Sequence, residues 1–315
     1  MSRPTSGIES TGIGGRLPGP VTARQNGRWM IADHGAQLLG WQPIDQDAGQ
    51  QPATSHPVIW FEPADPQELP GVIRGGIPVC APWFGHGPRD DQEPQHGVMR
   101  LTDFDREILT DQADRLAVRY RAELPGVSAL HTVELTGQAA TLTLCLTSTG
   151  SRSQQVEAVW HSYLRVGDAS RAWLEGVRGA AFHNYATGRQ GRLDADRLAV
   201  TIDTDTVVQD PPGPLALIDP AWARRITLQT HCLLSDRRGG RPVDREPAAS
   251  SQQTGSCPTA VVWNPRRTSG TRTDLTGTAW RDFVCVETGA AKQNAIDLEP
   301  GQTLTLGLRI GVTPF

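Results

Sequence analysis

Residues 140–150, ATLTLCLTSTG, place Leu142, Leu144 and Leu146 between Thr141, Thr143 and Thr147. A period of two sends successive side chains to opposite faces of an extended chain, so this segment reads as a strand with one buried face. The reading recurs at LAVRYRAEL (116–124), HTVELTG (131–137), QQVEAVWHSYLRVGD (154–168), LAVTI (198–202), RITLQT (225–230), AVVWNP (260–265), DFVCVET (282–288) and TLTLGLRIGV (303–312). VIWFEP (58–63) is a further apolar run of strand length, and RWMIADHGAQLLGWQP (28–43) suits two short strands broken at Gly35. No stretch holds a 3.6-residue period over ten or more residues. The expected fold is all-β: a dozen or more strands in antiparallel sheets, stacked as one large sandwich. Turn formers agree, since 33 glycines and 24 prolines make about 18% of the chain, against an ordinary share of about 12%.

The chain is long enough to bury its own core, because a domain of ~300 residues hides roughly 75% of its unfolded surface. At 37% hydrophobic and 20% charged it lies outside the disordered class. A net charge of −4 gives no basic footprint for nucleic acid. The five cysteines (Cys80, Cys145, Cys232, Cys257 and Cys285) are odd in number, scattered and without a C-x-x-C, which disfavours a disulfide framework or a zinc ribbon. Reduced thiols in a cytoplasm are the simplest expectation. No apolar run of about 18 residues predicts a membrane span, and the first residues have no apolar core of a signal peptide. Residues 1–20, rich in Gly, Ser, Thr and Pro, read as a loose tail. The polar segment 235–258 reads as a long exposed loop, and no linker divides residues 21–315, which are expected to form one domain and a monomer. Lys292 is the only lysine among 30 basic residues, so an imine mechanism would have to use it or the amino terminus.

Four segments carry side chains suited to chemistry. IRGGIPVCAPWFG (73–85) surrounds Arg74 with glycine and proline, and Gly75 and Gly76 permit unusual backbone angles or a close approach. PQHGVMR (94–100) brings Gln95, His96 and Arg100 close together; VWHSYLRVGD (159–168) places His161 between Trp160 and Tyr163; DFVCVETG (282–289) ends an apolar strand on Glu287. Taken singly, each has a structural reading: a turn, a histidine before glycine, a satisfied core histidine, a carboxylate at a strand edge. Taken together they supply an acid–base pair, planar polar groups, aromatic faces and two arginines able to fork onto a phosphate. No H-e-x-x-h spacing, phosphate loop, dinucleotide fingerprint or nucleophile elbow occurs, so no metal and no cofactor is expected.

The succession RGGIPVCAPWFG, QHGVMR, WHSYLRVGD, TDTVVQD, VVWNP and DFVCVETG resembles the hexose-6-phosphate mutarotases of the aldose 1-epimerase family, from about Trp29 to Ile310. The resemblance implies a large antiparallel β-sandwich and interconversion of sugar anomers by acid–base ring opening. It implies His161 as general acid and Glu287 as general base. Arg74, Gln95 and Arg100 would contact the phosphosugar, His96 would support or touch it, and Asp205 would bind a sugar hydroxyl. A carboxylate near 4 and an imidazole near 6.5 would give the ionised base and protonated acid in weakly acidic to neutral solution. Thr206 and Val208 stand where the family motif usually has Arg and Tyr, which suggests an altered pocket wall. Arg266 and Arg267 follow WNP where an aromatic is usual, and 235–258 looks like an insertion. A non-catalytic sugar-binding sandwich and a mutarotase of unphosphorylated aldoses are the alternatives.

Overall fold

The structure, a computed structural model, describes residues 21–23, 29–43, 56–61, 72–235, 257–267 and 277–315. The expected tail at 1–20 lies outside them, as does the 235–258 loop apart from Ser235, Cys257 and Pro258. Of these, Ser235 closes a strand and Cys257 is buried, so the ends of that segment are not exposed loop.

Two antiparallel sheets dominate. One has seven strands, in the spatial order Gln190–Arg192, Ala181–Asn184, Asp205–Gln209, Thr259–Trp263, Phe283–Ala290, Ala158–Arg165 and Val79–Cys80. The other has nine: Leu198–Ala199, Trp173–Glu175, Leu215–Asp219, Arg224–Ser235, Thr303–Pro314, Ala139–Ser148, Val127–Thr136, Arg115–Leu124 and Asp105–Asp111. A three-stranded sheet (Val21–Ala23, Trp29–Ala32, Gln37–Trp41) and a two-stranded one (Gln154–Val156, Ile296–Leu298) complete the frame. Helical geometry among the described residues is limited to short 3₁₀ turns, and no helix among them is long and apolar enough to cross a membrane.

Alternation explains how the two large sheets meet. Leu142, Leu144 and Leu146 of the nine-stranded sheet join one core with Trp160, Leu164, Val208, Val262, Val284 and Val286 of the seven-stranded sheet. Each of these is a non-polar residue at one parity of its strand, so the opposite parity faces outward. A buried Arg224–Asp219 pair ties the sheets together at one end. Nε of Arg224 donates to Asp219 at 3.2 Å, and Nη2 donates to the carbonyl of Arg165 at 2.6 Å in the seven-stranded sheet. Both side chains are fully buried.

Strand expectations hold for the long alternating runs. VIWFEP is a correction: within its described part only Ile59 makes a bridge, to Leu164, although Val58, Ile59 and Trp60 are buried. A short apolar run fits a buried coil as well as a strand, because periodicity cannot separate them. Residues 154–168 split into two strands in different sheets, and 198–202 shortens to Leu198–Ala199. The break at Gly35 is real, with φ of +70° there.

Candidate active site

The outward face of the seven-stranded sheet builds the site from two register lines. In the first, His161 lies directly opposite Glu287, Glu287 opposite Val261, and Val261 opposite Val207. In the second, Tyr163 lies opposite Cys285, Cys285 opposite Trp263, and Trp263 opposite Asp205. Facing residues on neighbouring antiparallel strands have Cβ atoms ~4.5–5.5 Å apart, so side chains of one line touch. The neighbouring positions Trp160, Leu164, Val284 and Val286 point into the core and hold the strands in place.

Segment 72–100 covers this face. The backbone enters at Gly75 and Gly76, with φ of +87° and +70°. A Cβ at Gly76 would lie 2.6 Å from the Leu38 carbonyl oxygen, so the close approach read from the sequence is present. Gly97, with φ of +75°, is equally closed, since a Cβ there would run into the Ala81 carbonyl oxygen. The result is a cavity of about 430 Å³. All seven residues singled out in the sequence, Arg74, Gln95, His96, Arg100, His161, Asp205 and Glu287, line it.

At the centre, Nε2 of His161 lies 3.2 Å from Oε1 of Glu287. Nδ1 of His161 and Oε2 of Glu287 are buried without a hydrogen-bond partner among the described residues. Burial raises the Glu287 pKa well above the ordinary carboxylate value, and the Asp205 charge adds to the effect. Burial lowers His161 well below the ordinary imidazole value, helped by His96, Arg74 and Arg100. The pair is thus pushed toward its neutral form, which corrects the expectation of an ordinary carboxylate beside an ordinary imidazole. A low-dielectric pocket disfavours both charges. Neutral acid plus neutral imidazole contains as many protons as carboxylate plus imidazolium. The two forms differ by the transfer of one proton between two side chains that lie 3.2 Å apart.

Arginines flank the pair. Nη1 of Arg74 donates to the Tyr163 hydroxyl at 2.8 Å, and Nη2 of Arg100 donates to the Gln95 carbonyl. The buried Nε of Arg100 has no partner among the described residues. Burial lowers the Arg100 pKa and the Arg74 charge lowers it further, which marks two cations held near one another in a site short of counter-charge. Nδ1 of His96 accepts the Gly85 N–H at 3.2 Å, leaving Nε2 as the protonated nitrogen. Burial, with the charges of Arg100, Lys292 and Arg74, pushes His96 down to about 3. It is therefore a neutral donor, and its ring meets His161 edge-on at 5.7 Å. Burial raises the pKa of Asp205, with Lys292 pulling it back.

Several lining residues escaped the sequence reading: His86, Asp90, Tyr185, Trp263 and Lys292. Tyr185 and His86 come from segments without alternation or motif. Lys292 carried one signal, its being the chain's single lysine. Thr206 and Val208 correct the expected change in pocket wall. They occupy the inward parity of their strand, where Thr206 accepts from Asn184 Nδ2 at 2.9 Å and Val208 joins the core. Arg266 stacks over Trp280 with its guanidinium 4.8 Å from the ring centroid. Donor atoms of His161, Cys285 and Glu287 lie within 4.8 Å of one another, a set that could hold a divalent ion although sequence spacing showed no metal motif.

Comparison with known proteins bears on the family and the fold. The sequence model of the family described as aldose 1-epimerase matches residues 21–311. A Haemophilus influenzae protein named "Putative glucose-6-phosphate 1-epimerase" is 23% identical over 257 residues, covering 80% of this chain and 79% of its own. An Escherichia coli K12 protein of the same name is 25% identical over 269 residues, covering 84% and 80%. A Salmonella typhimurium crystal structure described as "a putative mutarotase (YeaD)" superposes with a TM-score of 0.67 at 20% identity, over 91% of this chain and 87% of that one.

Proposed function

The chain belongs to the aldose 1-epimerase family, and from that premise we propose that it interconverts the α and β anomers of glucose 6-phosphate and related hexose 6-phosphates. Ring opening needs a base at the anomeric hydroxyl and an acid at the ring oxygen. In the carboxylate–imidazolium form of the central pair, Glu287 takes the C1 hydroxyl proton while His161 protonates the ring oxygen. The aldehyde end turns about C1–C2, and closure from the other face reverses both transfers. Each positioned proton-transfer group supplies ~10²–10⁴-fold. Asp205 accepts from a sugar hydroxyl, and His96 donates through Nε2. The reaction involves no redox step and calls for no cofactor.

The observation that carries the phosphorylated substrate is the guanidinium pair. Neutral sugars have nothing to neutralise two half-buried arginines on one pocket wall, whereas a phosphate accepts from both. Gln95 holds Arg100 through its carbonyl and stands at the mouth, within reach of the same substrate. A monomer acting among cytoplasmic metabolites suits five unbonded thiols and a small-molecule pocket contained in one chain. The test is kcat/KM for glucose 6-phosphate and for glucose, by polarimetry or NMR anomer exchange, in wild type, Arg74→Ala and Arg100→Ala. A charge-assisted hydrogen bond is worth ~1.5–3 kcal/mol, so the preference for the phosphosugar is expected to drop ~10–100-fold in either variant. A wild type that prefers free glucose, or variants in which both substrates decline equally, would defeat the reading.

A further inference from the structure

Lys292 sits in the 3₁₀ turn Lys292–Asn294, five residues beyond Glu287, and lines the same cavity. Its backbone is left-handed, with φ of +60°, a region that disfavours a residue with a Cβ. Asn or Gly would occupy it with less strain. A buried carboxylate fixes this geometry. Glu157, itself fully buried, accepts the Lys292 N–H on Oε1 at 2.6 Å and the Phe84 N–H on Oε2 at 2.9 Å. One side chain thus clamps the lysine turn to the loop carrying Phe84, Gly85 and His86.

The ammonium is directed to the cavity. Nζ lies 5.5 Å from the Phe84 ring centroid and 3.2 Å from where a Cβ on Gly85 would stand. Among the described residues no carboxylate lies within ion-pair distance of it. Its charge nonetheless reaches the site, for it acts on His96 together with Arg100 and Arg74, and on Asp205. Three cations from three separate segments therefore act on one pocket, where an arriving anion would draw on all three charges.

We propose that Lys292, carried on a turn whose backbone Glu157 holds, is a specificity-determining residue that pairs with the substrate's phosphate alongside Arg74 and Arg100. The proposal rests on the phosphosugar reading above. The lysine differs in kind from the arginines, which are tied to Tyr163 and Gln95. It is a point charge on a flexible stem, suited to follow a phosphate as the sugar ring opens and recloses.

Two measurements test it. The first is the selectivity ratio, kcat/KM for glucose 6-phosphate over that for glucose, in wild type, Lys292→Met and Lys292→Arg, with the inhibition constant of inorganic phosphate beside it. In Lys292→Met the ratio is expected to fall ~10–100-fold and phosphate inhibition to weaken similarly, with Lys292→Arg recovering most of both. The second uses the wild-type protein and needs no variant to fold. The aldehyde of pyridoxal 5′-phosphate condenses with the Lys292 amine, releasing water, and borohydride delivers hydride to the resulting C=N to leave a stable secondary amine. Peptide mapping is expected to find the label on Lys292, suppressed by glucose 6-phosphate and not by glucose. An unchanged ratio in Lys292→Met, or labelling indifferent to glucose 6-phosphate, overturns the role of Lys292 while the phosphosugar reading stands. A wild type without preference for the phosphorylated sugar overturns both.

Discussion

Nε2 of His161 and Oε1 of Glu287 lie 3.2 Å apart in a pocket that suppresses either charge. If the pair performs the proton transfers proposed above, removing either member disables both and leaves the other alone in a buried place. His161→Ala and Glu287→Gln are each expected to lower kcat by ~10²-fold or more with circular dichroism unchanged; anomer exchange at the wild-type rate in either variant would falsify the assignment. The pH profile follows from the same directions. Glu287 is shifted up and His161 down, so the one-proton form spans the interval between an acid limb and an alkaline limb that belong to the pair. Neither single variant is expected to retain both limbs. The Cys285 thiol beside the pair makes metal a separate question. Dialysis against a chelator is expected to leave kcat intact, and a loss restored by a divalent ion would identify the trio as a metal centre instead. The residue types of the site were legible in the sequence because each lies in a short string of unusual composition. Their protonation was not, since it depends on burial and on cations from other segments. Lys292 stood out only as the chain's single lysine, and Glu157 not at all, because the turn and the clamp that join them have no local pattern.

At the level of the strand, alternation did most of the work. Ala139–Ser148, Val127–Thr136 and Phe283–Ala290 were readable because each has one face in the shared core. The strands at Trp173–Glu175, Ala181–Asn184 and Gln190–Arg192 were not, being three or four residues long and mixed in polarity. Asp105–Asp111 escaped for another reason. It is an edge strand with exposed Ile108 and Leu109 and a register shift between Ile108 and Thr110, so its side chains do not alternate cleanly. The Arg224–Asp219 pair was invisible among so many arginines. It joins the turn between Leu215–Asp219 and Arg224–Ser235 to the end of Ala158–Arg165, and Asp219 also accepts the Gly167 N–H. Asp219→Ala leaves a buried guanidinium without its counter-charge, and is expected to cost ~3–5 kcal/mol of unfolding free energy, read by urea denaturation. A loss below about 1 kcal/mol, the range of an exposed pair, would show that solvent reaches the site.

For the molecule as a whole, one buried histidine sets an acid sensitivity. His131 shares the inward parity of Val127, Ala129, Val133 and Leu135 and is fully buried between the sheets. Burial pushes its imidazole down to about 4. In the unfolded chain the same group titrates near 6.5, so between those values the unfolded state binds more protons. Its contribution is present above pH 6.5 and is lost as pH falls toward 4, by about 1.4 kcal/mol for each unit of depression. His131→Phe is expected to narrow the difference in Tm between pH 7 and pH 5; an unchanged difference would assign the sensitivity to other groups.

The two register lines have a consequence for how such a chain can change its length. Because Glu287 and Val286 sit on opposite faces, the chemistry of the site is an odd–even property of the chain. Loss or gain of one residue inside Phe283–Ala290 or Ala158–Arg165 would swap the faces, carrying Glu287 or His161 into the hydrocarbon interior and valine or tryptophan into the sugar pocket. A change of two preserves parity and displaces the lines by one step. Length variation that keeps the reaction alive is therefore confined to the connections between strands, or counted in twos.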